Sequence, residues 1–110
     1  MPRRQINDVE LLILLALLRL GPDAYGVPIA REIESRAQRE IALGTVYAVL
    51  DRLEAAGLVT SELGEATPER GGRARRYFYV TDVGLRAVRD AMSSMRAMTA
   101  GLEILQGAAS

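Results

Sequence analysis

Apolar residues recur in blocks along the chain, and their period changes from block to block. Between Val9 and Leu20 nearly every residue is apolar: Val9, Leu12, Ile13, Ala16, Leu17 and Leu20, with Leu11, Leu14, Leu15 and Leu18 between them. Asn7 is suited to cap this helix and Glu10 to answer it three residues on, while Gly21-Pro22 ends it. A helix apolar on nearly all sides must be covered from more than one direction, and in so short a chain the cover is expected to include a second subunit.

A second helix is predicted from Gly26 to Ala37, with Pro28 tolerated in its first turn and Ile29 and Ile33 as its inner stripe. After Gln38 to Leu43, a third starts near Gly44 and Thr45, carries Val46, Val49, Leu50 and Leu53 at helical spacing, and stops at Gly57. Two short helices joined by a turn make a helix-turn-helix candidate. The period then shortens: Leu58 to Glu65 and Ala74 to Val80 read as strands, separated by the turn-rich Ala66 to Arg73. Thr81 is placed to cap a last helix, in which Leu85, Val88, Met92, Met95, Thr99 and Leu102 fall on alternating three-and-four spacing, a seam of about three heptads. The predicted fold is mainly α with a two-stranded wing. It divides into a winged helix-turn-helix domain over residues 1–81 and a C-terminal dimerisation helix and tail over 82–110.

Composition narrows the chemistry. With 110 residues the chain holds one modest core, and it contains neither cysteine nor histidine. The usual zinc ligands, thiol nucleophile and neutral-pH general base are therefore missing, so no metal, cofactor or catalytic residue is assigned and an enzyme is not expected. Gly71-Gly72 is no phosphate loop, since it opens no helix and the chain has no lysine. The net charge is zero, so any nucleic-acid binding must come from local clusters; all fourteen basic residues are arginine, through base composition of the gene or through a use for bidentate contacts. The basic start Arg3-Arg4 before an apolar run looks superficially like a secretory leader. Asp8 and Glu10 interrupt it, and Leu11 to Leu18 is too short to span a bilayer, so a cytoplasmic protein without membrane attachment is expected.

The pieces Tyr25-Gly26, Ile29-Ala30-Arg31-Glu32-Ile33, Gly44-Thr45-Val46-Tyr47, Leu50-Asp51-Arg52-Leu53-Glu54, Gly57-Leu58-Val59, Gly71-Gly72-Arg73 and Tyr77-Phe78-Tyr79-Val80-Thr81 with Gly84 occur in order. In these the chain resembles the PadR family of transcriptional regulators, over nearly all of Leu11 to Leu85. It departs from the family at Ala42-Leu43, where members often carry Ser or Pro, and at Ala48, often Pro; both bear on how the third helix opens. The single helix after the wing resembles the short branch of the family. That resemblance implies a DNA-binding transcriptional regulator, a repressor, that dimerises through its last helix packed against its first.

In such a winged helix the third helix enters the major groove, with Val46, Leu50 and Leu53 inward and Gly44, Thr45, Tyr47, Ala48, Asp51 and Arg52 outward. Gly44 and Thr45 would offer free backbone N–H groups to a phosphate, although Thr45 also suits a plain cap. Tyr47 either donates to phosphate or packs half-buried. Arg70, Arg73, Arg75 and Arg76 crowd the hairpin; neighbouring strand residues face opposite ways, so Arg75 and Arg76 cannot share a surface. The expected DNA contacts are Arg70, Arg73 and Arg75, with Arg73 at the wing tip, against the alternative of a merely solvated basic turn; Arg3 and Arg4 are candidates for a flexible arm. Leu11, Leu15, Leu85, Val88, Met92, Met95 and Leu102 are assigned to the dimer. Met92, Met95 and Met98 either fill that interface or line a small-molecule effector site within it. The expected partners are a palindromic double-stranded operator and a second copy of the chain. A winged helix serving only as a protein-interaction module is the rival reading.

Overall fold

The computed structural model describes residues 5–65 and 74–107. Five helices and two strands follow in the order α1 (Asp8–Leu20), a 3-10 turn (Gly21–Asp23), α2 (Gly26–Ala37), α3 (Leu43–Ala55), β1 (Val59–Leu63), β2 (Arg76–Val80), α4 (Asp82–Thr99) and α5 (Glu103–Gly107). This is a winged helix, mostly helical with one two-stranded antiparallel sheet. The expected boundaries hold to within a few residues up to α4.

Local chemistry explains the ends. The Glu10 N–H donates to Asn7 Oδ1 at 2.8 Å and the Asn7 N–H donates to Glu10 Oε1 at 2.9 Å, a complete capping box on α1. At the far end of α3 the Leu58 N–H reaches the Leu53 carbonyl and the Gly57 N–H reaches that of Glu54. Gly57, at φ +83°, supplies the left-handed residue this Schellman-type cap needs, and the chain leaves straight into β1. Thr81 caps α4 by accepting from the Gly84 N–H at 3.1 Å while its hydroxyl donates to the Gly57 carbonyl at 2.7 Å, so one side chain ties α4 to the end of α3.

The core is single and closed. Ile13, Leu14, Ala16 and Leu17 of α1 meet Ile29 and Ile33 of α2, Val46, Val49, Leu50 and Leu53 of α3, then Leu58, Val59 and Phe78 of the sheet, and Ala87 and Val88 of α4. The Phe78 N–H also donates to the Ala24 carbonyl at 2.9 Å, joining β2 to the turn after α1. Helix α1 is packed by α2, α3, α4 and β2 of its own chain. These elements bury most of it, while Leu11, Leu12 and Leu15 remain half-buried and Leu18 is exposed.

The expected seam needs two corrections. Val88 is only 5% exposed, enclosed by this chain's own core, so it has little surface to offer a partner. Leu102 lies outside the helix: α4 ends at Thr99, Ala100 is extended at ψ 131°, and Gly101 takes φ +79° before α5 begins. A glycine one or two positions past the last turn is a stop signal that outweighs heptad spacing. Among the described residues no helix is long and apolar enough to cross a membrane.

Candidate nucleic-acid interface

Helix α2 closes at Gln38, a non-glycine residue in the left-handed region at φ 55°, whose amide nitrogen donates to the Ser35 carbonyl at 2.9 Å. The following turn is held by Arg39, which donates to Asp8 at 2.8 Å and holds that carboxyl below its ordinary pKa. Helix α3 then opens at Leu43, one residue earlier than expected, behind Ala42, whose side chain makes no cap. Thr45 is thus the third residue of the helix and not its cap. The N–H groups of Leu43, Gly44 and Thr45 precede the first intrahelical bond, made by Val46 to the Ala42 carbonyl.

The two faces of α3 separate as the spacing predicted. Val46, Val49, Leu50 and Leu53 are buried, whereas Gly44, Thr45, Tyr47, Ala48, Asp51 and Arg52 are exposed along one outer surface. Tyr47 is 36% exposed and has a second attachment: its ring lies 6.5 Å from that of Phe78 at a 56° tilt, and its hydroxyl end rests on Gly26 at the head of α2. A Cβ at position 26 would collide with that ring, so glycine here sets how closely α3 approaches α2.

At the base of the wing the two arginines part. Arg75 stacks its guanidinium 4.1 Å over the Tyr25 ring, which meets Tyr77 edge-on at 5.7 Å. Arg76, on the opposite face of the strand, turns toward α3. Its Nη1 donates to Asp51 Oδ1 at 3.1 Å, Nη2 bonds to Glu54 Oε1, and Nε donates to Ser61 Oγ at 3.1 Å, while the Ser61 hydroxyl donates to Glu54 Oε2 at 2.8 Å. The register puts Leu63 opposite Arg76 and Ser61 opposite Phe78, so all four share the sheet face turned to α3. On the other face the Tyr79 hydroxyl donates to Glu62 at 2.8 Å, and that carboxylate pushes the phenol's pKa up.

Of the expected DNA residues, those on α3 thus share one surface, Asp51 is also tied to Arg76, and Arg75 sits at the wing's base. Arg70 and Arg73, with Arg3 and Arg4, lie outside the described residues. Sequence reading missed the Arg76 cluster, although Asp51 and Glu54 are one turn apart on α3 and strand alternation had already turned Arg76 away from Arg75. Among the described residues no group of three or more carboxylate, histidine or cysteine side chains could hold a metal ion.

Of the expected dimer residues, Leu11 and Met95 line one open groove of about 450 Å³ between α1 and α4, together with Ala87, Ala91, Asp8 and Asp90. Leu15 lines a second, between α1 and α2. Leu85 and Met92 are half-buried, Met92 against the core.

No curated protein matches the chain. Solved structures do. A PadR-like transcription factor from Bacteroides fragilis superimposes with a TM-score of 0.72 at 27% identity, over 88% of each chain. A PadR family regulator from Eggerthella lenta DSM 2243 gives 0.67 at 28%, over 89% of this chain and 82% of its own. One from Clostridium difficile R20291 gives 0.73 over 91% and 99%, at 22% identity supporting the fold alone. The family model matches residues 14–90, most of the chain, with the core of the head, α3 and both wing strands inside the match. The chain belongs to the transcriptional regulator PadR-like family.

Proposed function

We propose that this regulator acts in the cytoplasm by binding a palindromic DNA operator as a homodimer, and that it represses. The observation that carries the reading is the outer face of α3: Gly44, Thr45, Tyr47, Ala48 and Arg52 are exposed together beside three uncommitted backbone N–H groups, on a helix whose other face is wholly core. A helix N-terminus presents positive dipole and donors to a phosphate, while side chains further along reach base edges. Arg75 at the wing's base would meet the flanking phosphates, and Arg70 and Arg73, outside the described residues, are assigned the same role from the sequence.

The dimer would form where the apolar surface is left over, on Leu11, Met92 and Met95 about the α1/α4 groove, continued by Met98. Two copies related by a two-fold axis would set their recognition helices about one turn of DNA apart, matching half-sites roughly 10 base pairs between centres. A small-molecule effector would enter at the same groove, between the subunits. A gel-shift on the DNA upstream of its own gene, at low and moderate salt, tests the reading. Sequence-selective, salt-sensitive retardation is expected; no retardation on any duplex would favour a protein-interaction module.

A further inference from the structure

The Arg76 cluster has a shape that a DNA contact does not need. Three of the guanidinium's nitrogens are directed into the protein, to Ser61, Asp51 and Glu54, and the group sits 4.8 Å over the Phe78 ring. The side chain is 37% exposed, against 62% for Asp51. Asp51 and Glu54 are one turn apart on α3, where like charges repel, and Asp51 lies on the face offered to DNA. Left alone, the two carboxylates would meet an approaching phosphate well within the roughly 10 Å over which 0.1 M salt screens charge. A planar guanidinium, with donors fixed along its edges, suits two carboxylates and a strand hydroxyl at once.

We infer that Arg76 is a positioning residue of the DNA site, which draws Asp51 and Glu54 toward the wing and offsets part of their charge, and does not itself contact phosphate. This rests on the DNA-binding reading above. Arg76 acts through its partners, so its contribution should be recoverable by rebuilding the pair, and by nothing else of equal charge.

The test is a charge exchange in the full chain, read by fluorescence anisotropy on a mixed-sequence duplex at low salt and on the duplex from its own promoter. Arg76→Glu is expected to lose roughly tenfold or more in affinity on both. Adding Glu54→Arg restores the pair with opposite polarity and should return binding to within about threefold of the starting protein. Adding Glu62→Arg instead restores net charge on the other face of the sheet, beside Tyr79, and should not rescue. Arg76→Gln, milder for folding, is expected to fall between; melting curves accompany every variant. Rescue by position 62 as good as by position 54 would overturn the inference, as would no rescue from a folded exchange protein. A starting protein that binds neither duplex defeats the DNA-binding reading itself, and the inference with it.

Discussion

The winged head and the end of the C-terminal arm treat apolar surface in opposite ways. In the head, α1 to β2 and the first half of α4 enclose Ile13, Leu14, Ile29, Leu50, Leu53, Leu58 and Phe78 completely, and the large apolar side chains left exposed there, such as Leu18, Val27, Leu63 and Val83, are scattered over different elements. Past Met92 the same chain leaves Met95 57%, Met98 74% and Ile104 80% exposed, with Leu102 and Leu105 about half exposed. Scattered apolar side chains on a surface need no explanation, but these follow one another along a single arm. The buried core lies within the head, and the arm's apolar side chains are left outside it. Stability and assembly are therefore expected to respond to different substitutions.

The largest effect should come from the centre of the head. Phe78 is fully buried under Tyr47 and Arg76, so Phe78→Ala is expected to cost roughly 3–5 kcal/mol and to lower the chemical-denaturation midpoint by most of its value. A near-native midpoint would mean that the head's core is not the cooperative unit described. Met95→Glu should behave in the opposite way. Its carboxylate would cost little in a lone chain, where the site is exposed, but about 3 kcal/mol or more of association if a partner covers it. Sedimentation should then report a monomer with an unchanged melt at low concentration and no operator binding; a folded dimer with undiminished DNA affinity would show that the arm assembles elsewhere.

Much of the head was readable because its signals are local. The Asn7/Glu10 box, Pro28 in the first turn of α2, Gly57 after α3 and Thr81 before α4 each act within a few residues. What was misjudged depends on contacts far apart in sequence or on competing local rules. Val88 was assigned to a partner because spacing shows which residues share a face and not which body covers that face. Leu102 was kept on the seam because heptad spacing continued through it, although Gly101 ends the helix. The Arg76 cluster joins residues 15 to 25 positions apart, which no window on the sequence contains.

A smaller effect tests how α4 is anchored on the head. Gly84 lies in the first turn of α4, and a Cβ there would run into the Leu58 backbone carbonyl, which cannot swing aside as a side chain can. Gly84→Ala is therefore expected to cost about 1–3 kcal/mol by pushing α4 off the Leu58 backbone that leads into β1. The displacement should show as lost hydrogen-exchange protection at Gly84 and Leu85 before any loss at Leu14 or Leu50. Uniform loss would mean that head and arm open together.

The smallest expected effect falls on Tyr47, which belongs to both the core and the outer face. Its ring is fixed by Gly26 and Phe78, contacts that Tyr47→Phe keeps, so thermal stability should stay within about 0.5 kcal/mol of the starting protein. The hydroxyl is the part at issue. It rests against Gly26 at the head of α2, and the reading under test is that it donates to a phosphate held by the α3 N–H groups. Losing that donor should cost roughly 1 kcal/mol of DNA affinity, similarly on specific and mixed-sequence duplexes, because a phosphate contact carries no base information. If instead affinity holds and the melting temperature drops, the hydroxyl serves the packing of α2 on α3. Tyr47 would then pass from the DNA face to the head's internal structure, leaving the backbone donors of Leu43, Gly44 and Thr45 to meet the phosphate alone.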